Sequence, residues 1–169
     1  MAGRAQIARH PIHPMFVVFP IALWIFAFVC DLIFHWGAMN PFWKAVAYYT
    51  MVGGVIGALA AAIPGLIDYG SLREPGAKRL ATAHLVLNVT IVVLYVVNLW
   101  IRSRTALDAT GPVWLSLGSL VLLVVAGWLG GELVYVHGVA VEPRRAAAID
   151  VTTGRMVETP TSTDYRRPA

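Results

Sequence analysis

The chain of 169 residues has little charge, a single cysteine and none of the short motifs that mark common enzyme classes. It contains no glycine-rich phosphate loop, no GxSxG, no HExxH and no CxxC pair. These absences argue against a nucleotide-binding enzyme, a serine hydrolase, a metallopeptidase and a dithiol oxidoreductase. With Cys30 alone there is no internal disulfide, and its simplest role is helix packing. An enzyme of the soluble type is therefore not expected.

Charged residues make up 13% of the chain and hydrophobic residues 58%, with a mean hydropathy of +0.68. A soluble domain of this size needs more polar surface. Four apolar stretches exceed the ~18 residues that indicate a membrane span, and they run over 15–35, 44–67, 79–101 and 112–136. The sequence predicts an all-α integral membrane protein, a four-helix up-down bundle over 1–141 followed by a polar, disordered cytoplasmic tail at 142–169.

Basic residues are unevenly distributed between the two sides of this topology. Of the thirteen Lys and Arg, all but Lys44, Arg102 and Arg104 lie in the N-terminus, the second loop or the tail. Because basic loops stay in the cytoplasm, both termini are predicted to be cytoplasmic in a multi-pass inner (plasma) membrane protein. The pI of about 9.6 then reflects topology. No nucleic acid partner is expected, since no basic helix with interleaved aromatic residues is present.

The segment HPIHP, residues 10–14, directly precedes the first apolar stretch. A residue before proline is steered away from helical angles. Both histidines are therefore expected to be extended, as a rigid cap over the bundle mouth, with His13 able to cap the first helix. Histidines that simply lie among lipid headgroups are the alternative interpretation.

Six ionisable residues from four separate segments are predicted to meet at the cytoplasmic face: His10, His13, Asp68, His84, Glu132 and His137. Such groups at membrane depth usually face a bundle interior or a water-filled cavity. Two of His13, His84 and His137 can hold haem b through bis-imidazole ligation. Alternatively, a transition metal can bind to His10, His13, Asp68, His84 and Glu132. Neither spacing is diagnostic, and His137 also fits a helix-terminal cation.

The third span carries a polar seam along one face. On a helical wheel, five residues fall within about 40° of one another: His84, Asn88, Tyr95, Asn98 and Arg102. Interhelical hydrogen bonding explains such a seam. The alternative interpretation is a proton or redox path along the helix, with His84 at its cytoplasmic end.

The two halves of the chain also resemble each other weakly. In each half one helix begins near a histidine, His13 or His84, and the next ends near a carboxylate, Asp68 or Glu132. The segment PGLIDYG loosely parallels GGELVYVHG. Since few residues are shared, an ancient duplication and chance both remain explanations.

Four sequence segments together resemble the DUF2231 family of uncharacterised bacterial membrane proteins, and the resemblance covers residues 8–141. The segments are HPIHPMFVVFPIAL, IPGLIDY, AHLVLN and GWLGGELVYVHGVAV. The resemblance implies a compact four-helix membrane domain. It also implies an association with redox proteins, because some relatives are fused to Rieske iron–sulfur modules or found with c-type cytochromes. The Rieske-fused relatives carry other polar residues at the positions of Glu132 and His137, which favours His13, Asp68 and His84. This chain has no Rieske ligands, so its electron partner would be a separate protein.

Three functions fit these observations. The first is a membrane redox component, an electron-transfer protein with haem b or a metal at the cytoplasmic mouth. The second is a non-catalytic scaffold or assembly subunit, whose polar seam serves packing. The third is a small transporter or proton path, for which four helices would have to form a homo-oligomer.

Overall fold

The computed structural model of the protein describes residues 5–8, 10–37, 39–141, 147–149 and 156–158. Most of them lie in five helices, α1 (Ile12–Phe16), α2 (Val18–Trp36), α3 (Pro41–Ser71), α4 (Pro75–Arg102) and α5 (Gly111–Tyr135). Because α1 and α2 together form one apolar segment of 25 residues, four segments are long and apolar enough to cross a bilayer. The predicted all-α membrane fold is confirmed.

The second span is longer than the apolar stretch that predicts it. Helix α3 has 31 residues and continues through Pro64 to Ser71, whereas the sequence predicted an end near residue 67. A proline inside a helix removes one N–H from the hydrogen-bond ladder. In the same turn, the carbonyl of Ala61 accepts a hydrogen bond from His13 Nδ1 at 2.8 Å. The carbonyl left without a partner by Pro64 is that of Ala60, so the His13 bond ties this turn of α3 to the first span without replacing the missing bond.

Side-chain caps fix the starts of α3 and α4. The Asn40 side chain accepts from a backbone N–H in the first turn of α3, and the Glu74 carboxylate accepts from the N–H groups of Gly76 and Ala77 in α4. A proline occupies the first helical position after each cap, where its missing N–H is no loss. The two N–H groups, that of Ala77 above all, lower the pKa of the Glu74 carboxyl.

The N-terminal segment folds back on itself before the first span. Strand β1 (Gln6–Ile7) pairs antiparallel with β2 (His10–Pro11), so His10 is extended, as predicted. The same expectation for His13 is wrong, because His13 lies in α1 and makes no helix cap. Pro14 follows it within the first turn of the helix, where no N–H is needed from the proline.

Two helical hairpins, α2 with α3 and α4 with α5, form the bundle. Their shared core centres on the rings of Trp24 and Tyr95, which stack with centroids 4.1 Å apart at 11°. Both side chains are buried, and Trp24 Nε1 also donates to the carbonyl of Met51 at 3.3 Å. The stack therefore joins the first hairpin to the second at mid-bundle.

The two hairpins bury residues in the same register. With a constant offset of 71 residues, the buried positions of α2 match those of α4 in the pairs Pro20/Ile91, Trp24/Tyr95 and Ala27/Asn98. A second constant offset relates α3 to α5, in the pairs Ala47/Pro112, Met51/Ser116, Gly54/Ser119, Ala61/Ala126 and Asp68/Leu133. The internal resemblance is thus a repeat of packing. Its carboxylate part is out of register by one residue, because Asp68 corresponds to Leu133 and not to Glu132.

Matching residues of the two halves meet along the middle of the bundle. Trp24 stacks on Tyr95, and Asp31 forms an ion pair with Arg102. This arrangement is that of two parallel repeats related by an axis along the membrane normal. We call the end that holds Asp31 and Arg102 the Asp31 end, and the opposite end, with His13 and His84, the His13 end.

Burial of basic residues at the Asp31 end increases the difference in exposed positive charge between the two ends, on which the predicted orientation depends. Lys44 and Arg102 are tied into the bundle by their ion pairs with Asp31, so among the three basic residues of that end Arg104 alone is exposed. Because buried, neutralised charges contribute little to a basic loop, the described loop charges that favour the cytoplasm lie mostly at the His13 end, in Arg73, Lys78 and Arg79.

We therefore expect the loop between α2 and α3 to lie outside the cytoplasm and the C-terminus inside. Alkaline phosphatase fused in this loop should be active, and green fluorescent protein fused at the C-terminus should be fluorescent. The reciprocal fusions, which serve as controls, should be silent. Two fusions that report the same side would contradict the topology.

The predicted disordered tail lies mostly outside the described residues. Within 142–169, the structure describes strand β3 (Ala147–Ile149) and strand β4 (Met156–Glu158), which pair antiparallel. This short hairpin was not predicted from the polar composition of the tail.

Candidate functional site

His13, at the first turn of the first span, is oriented by a bond to the neighbouring helix. Its Nδ1 lies 2.8 Å from the carbonyl oxygen of Ala61 in α3. Since a carbonyl oxygen only accepts, Nδ1 carries the hydrogen, and the lone pair of the neutral ring is on Nε2. The ring is held in one tautomer and one orientation.

His84 repeats this arrangement in the second hairpin. Its Nδ1 lies 3.0 Å from the carbonyl oxygen of Ala126 in α5, and Ala126 is the residue that corresponds to Ala61 in the buried register. The Asn88 amide lies 3.2 Å from His84 Nε2 and donates to the His84 carbonyl at 2.7 Å. The lone pair of His84 therefore has an internal donor beside it.

A matched glycine makes room for each ring. A Cβ on Gly65 would lie 2.9 Å from His13 Nδ1, and a Cβ on Gly130 would lie 3.1 Å from His84 Cε1. Each glycine comes four residues after the alanine whose carbonyl accepts the bond. Two imidazoles with defined tautomers are thus presented by equivalent positions of the two halves.

Asp68 fastens the N-terminal segment to the bundle. Its carboxylate is buried and accepts a hydrogen bond from the backbone N–H of Ala5 at 3.0 Å. Ala5 is itself buried, and its carbonyl accepts from the N–H of Ile12 at the start of α1. Asp68 thereby positions the segment that leads into His13.

Two of the remaining candidates of the His13 end, His10 and His137, have partners of their own. His10 is exposed, with Nδ1 2.9 Å from the carbonyl of Ala8. His137 lies 3.7 Å from the Glu74 carboxylate at the start of α4, and Glu132 is half-buried in the last turns of α5. Among the described residues no group of three or more His, Cys, Asp or Glu side chains is placed to hold a metal ion. The five-residue metal site is not brought together.

The polar seam of α4 divides into two parts. Asn88 belongs to the His84 end of the helix, as described above. Asn98 Nδ2 donates to the Pro112 carbonyl at 2.8 Å and to Ser116 Oγ at 2.9 Å in α5. Between them, the Tyr95 hydroxyl is buried with no hydrogen-bond partner among the residues that the structure describes. The polar contacts along the seam are therefore interrupted at Tyr95.

A buried ionic cluster occupies the opposite end of the bundle. The Asp31 carboxylate is fully buried and receives both terminal nitrogens of Arg102, with Nη1 at 2.8 Å from Oδ1. Lys44 Nζ lies 3.2 Å from the same Oδ1 and 3.2 Å from His35 Nε2. Arg102 Nε donates to Asn98 Oδ1 at 2.7 Å. The ion pairs of this cluster join three of the four spans, and Arg102 reaches the fourth through Ser116.

The cluster was not expected from the sequence, although a signal for it exists. By sequence, Lys44 and Arg102 count as basic residues of the side opposite the termini. Asp31 is the one acidic residue between positions 12 and 36. A carboxylate in a membrane span is itself a sign of a buried partner or a site, and Asp31 could have been singled out on that ground.

Comparison with known proteins identifies one family model. It is described as a predicted membrane protein, DUF2231, and it matches residues 9–143, a range that includes both histidines and the ionic cluster. No curated protein and no solved structure matches the chain.

Proposed function

The chain belongs to the DUF2231 family of predicted membrane proteins, and from this premise we propose that it is a membrane redox component in which His13 and His84 hold haem b or a transition metal ion. The observation that carries the proposal is the matched pair of histidines. Each is fixed by Nδ1 to a helix carbonyl in the equivalent place of its hairpin.

This orientation is the one that metal-bound histidines adopt. A ligating imidazole almost always donates its other ring N–H to a carbonyl or carboxylate, which fixes the tautomer and the ring direction. In His13 and His84 the carbonyls of Ala61 and Ala126 are those partners. The Nε2 atoms are then the available ligands.

The number of ligands favours haem over a bare zinc or iron ion. The two imidazoles of His13 and His84 would suffice to hold a b-type haem, because the macrocycle itself binds the iron. A structural zinc site needs four protein ligands, and Asp68, His10 and His137 are engaged elsewhere. Among metal ions bound without a macrocycle, copper(I) fits two nitrogen ligands better than zinc or iron does, because it accepts fewer ligands.

Two residues near His13 and His84 would affect how these histidines bind the cofactor. The amide of Asn88 lies beside His84 Nε2 and would have to turn away before that nitrogen binds a metal. Asp68 acts through Ala5 on the segment that carries His13. The bound group would supply one-electron transfer. A separate Rieske protein or c-type cytochrome would be the partner, and a homo-oligomer in the bilayer is compatible with it.

The protein is expected to carry a stoichiometric cofactor when it is produced with a haem precursor and purified in mild detergent. Its visible spectrum should show a Soret band, or metal analysis should show one copper per chain. Substitution His84→Ala should abolish the cofactor. Asp68→Ala, which removes the acceptor of the Ala5 N–H and so loosens the segment that leads into His13, should weaken binding without abolishing it. Helix content by circular dichroism should be unchanged in both.

The matched control is His10→Ala, which removes an exposed histidine of the same segment and should leave the spectrum unchanged. Loss of the cofactor in His10→Ala would instead favour the larger metal site that includes His10. A colourless and metal-free wild-type protein would contradict the redox function and favour a scaffold, in which His84→Ala costs no more than one interhelical hydrogen bond, about 0.6 kcal/mol.

A further inference from the structure

A cavity at the Asp31 end lies against the ionic cluster, on the far side of the bundle from the histidine pair. Its volume is about 260 Å³, and its lining includes Lys44 and Arg102. Apart from Thr105, the rest of the lining is apolar or aromatic, from α3, the 103–110 loop and the start of α5, namely Pro41, Ala45, Tyr48, Tyr49, Ala106, Leu107, Ala109 and Pro112. Tyr49 and Leu107 are exposed, so the cavity can be reached from outside the bundle.

The cluster beside this cavity has one positive charge in excess. Lys44 and Arg102 are cations, and Asp31 is the one carboxylate bonded to them. Because an ammonium group only donates, His35 Nε2 accepts from Lys44 and the ring is neutral. The N-terminal ends of α3 and α5 also meet the cavity, at Pro41 and Pro112, and add the partial positive charge of their helix dipoles.

Each cation at the cavity has one N–H that no oxygen or nitrogen of the described residues accepts, and the Lys44 ammonium also lies 4.8 Å from the centre of the Phe34 ring. An ammonium has three donors and a guanidinium five. Lys44 uses one on Asp31 and one on His35. Arg102 uses Nε on Asn98, Nη1 once on Asp31, and Nη2 on Asp31 and Ser116. Among the described residues, no oxygen or nitrogen accepts the third N–H of Lys44 or the second N–H of Arg102 Nη1.

We propose that this cavity binds a small organic carboxylate. Its two oxygens would accept the remaining N–H groups of Lys44 and Arg102, and its body would lie against Tyr48 and Ala45. A monoanion neutralises the excess charge of the cluster, which is costly in a low-dielectric environment. A phosphate dianion would overcompensate that charge. An apolar or aromatic body fits the lining.

The proposal is tested by equilibrium dialysis of labelled benzoate against the full-length protein in zwitterionic nanodiscs, with empty nanodiscs subtracted. Benzoate should bind with a Kd on the order of 1 mM, as expected for a ligand of so few atoms. Neutral benzamide and inorganic phosphate should bind at least tenfold more weakly. Equal binding of benzamide, effective competition by phosphate, or no benzoate binding would overturn the proposal.

Two variants test separately whether benzoate binding depends on the charge of Lys44 and on the open volume of the cavity. Lys44→Met should lower benzoate affinity at least tenfold while leaving Asp31 and Arg102 as a balanced pair. The control Arg104→Met removes an exposed cation at the same end and should have no effect. Ala45→Leu fills the cavity from an exposed helix position without touching a charge, and it should also abolish binding, so that a folding defect in Lys44→Met leaves a second test. Unchanged affinity in Ala45→Leu would contradict the assignment of the cavity.

Asp108 gives a test in the opposite direction. It lies in the 103–110 loop between Leu107 and Ala109, both of which line the cavity, and it is exposed. Removing its charge in Asp108→Asn should strengthen benzoate binding about twofold, the usual size of an exposed charge effect. Weaker binding in this variant would contradict recognition of an anion. None of these residues touches His13 or His84, so the result is independent of the redox function.

Discussion

Replacing Asp31 with leucine should lower the free energy of unfolding by about 3 to 5 kcal/mol, the range for removing one partner of a buried ion pair. The carboxylate is fully buried between Lys44 and Arg102. Without it, two buried cations face each other with no anion. Unfolding in mixed micelles with an increasing fraction of sodium dodecyl sulfate, followed by circular dichroism, measures the loss.

Two variants make this result specific. Asp108→Ala removes an exposed carboxylate at the same end of the bundle and should change stability by no more than about 0.5 kcal/mol. Replacing Asp31, Lys44 and Arg102 together by leucine, methionine and leucine should recover most of the loss, because apolar residues of similar volume often substitute for a buried charge cluster. If Asp31→Leu is no more destabilising than Asp108→Ala, the ionic cluster does not hold this end of the bundle.

The second large effect is expected at the centre of the bundle, for Gly54→Ala. A Cβ at Gly54 would lie 2.5 Å from Trp24 Cδ1 and closer still to Nε1. The indole has no free space to move into, because it stacks on Tyr95 and donates to Met51. Overpacking of this kind costs about 1 to 3 kcal/mol. The same micelle titration should show that loss, together with a changed near-ultraviolet circular dichroism signal from the displaced indole.

Gly118→Ala is the matched control, because nothing lies within 4 Å of a Cβ at that position. It should be neutral or should stabilise helix α5 by up to ~1 kcal/mol, the difference in helix propensity between the two residues. The stability of Gly53→Ala should lie between those of Gly54→Ala and Gly118→Ala, because its Cβ would meet the movable end of the Leu23 side chain at 3.3 Å. Equal stability of Gly54→Ala and Gly118→Ala would show that the indole adapts without loss.

The candidate residues at the His13 end show how far sequence reasoning about a site reaches. Six residues were expected at one face, and the depth of His84 in its span marked it as a candidate. The structure adds that His13 and His84 are oriented by matching carbonyls, whereas His10, Asp68 and His137 bond to other groups. Orientation depends on the rotation of each helix about its axis, which the pattern of apolar residues does not fix when lipid-facing and core-facing positions are both apolar.

The sequence by itself determined the number of spans and where the connecting loops lie. Hydropathy and helix caps are local properties, and a bilayer forces any apolar stretch of sufficient length to satisfy its backbone as a helix. Only the tertiary structure decided that Asp31 meets Arg102, 71 residues away, and that Trp24 stacks on Tyr95. These contacts depend on how two similar hairpins pack around a common axis, and that packing is selected by steric fit among many residues at once.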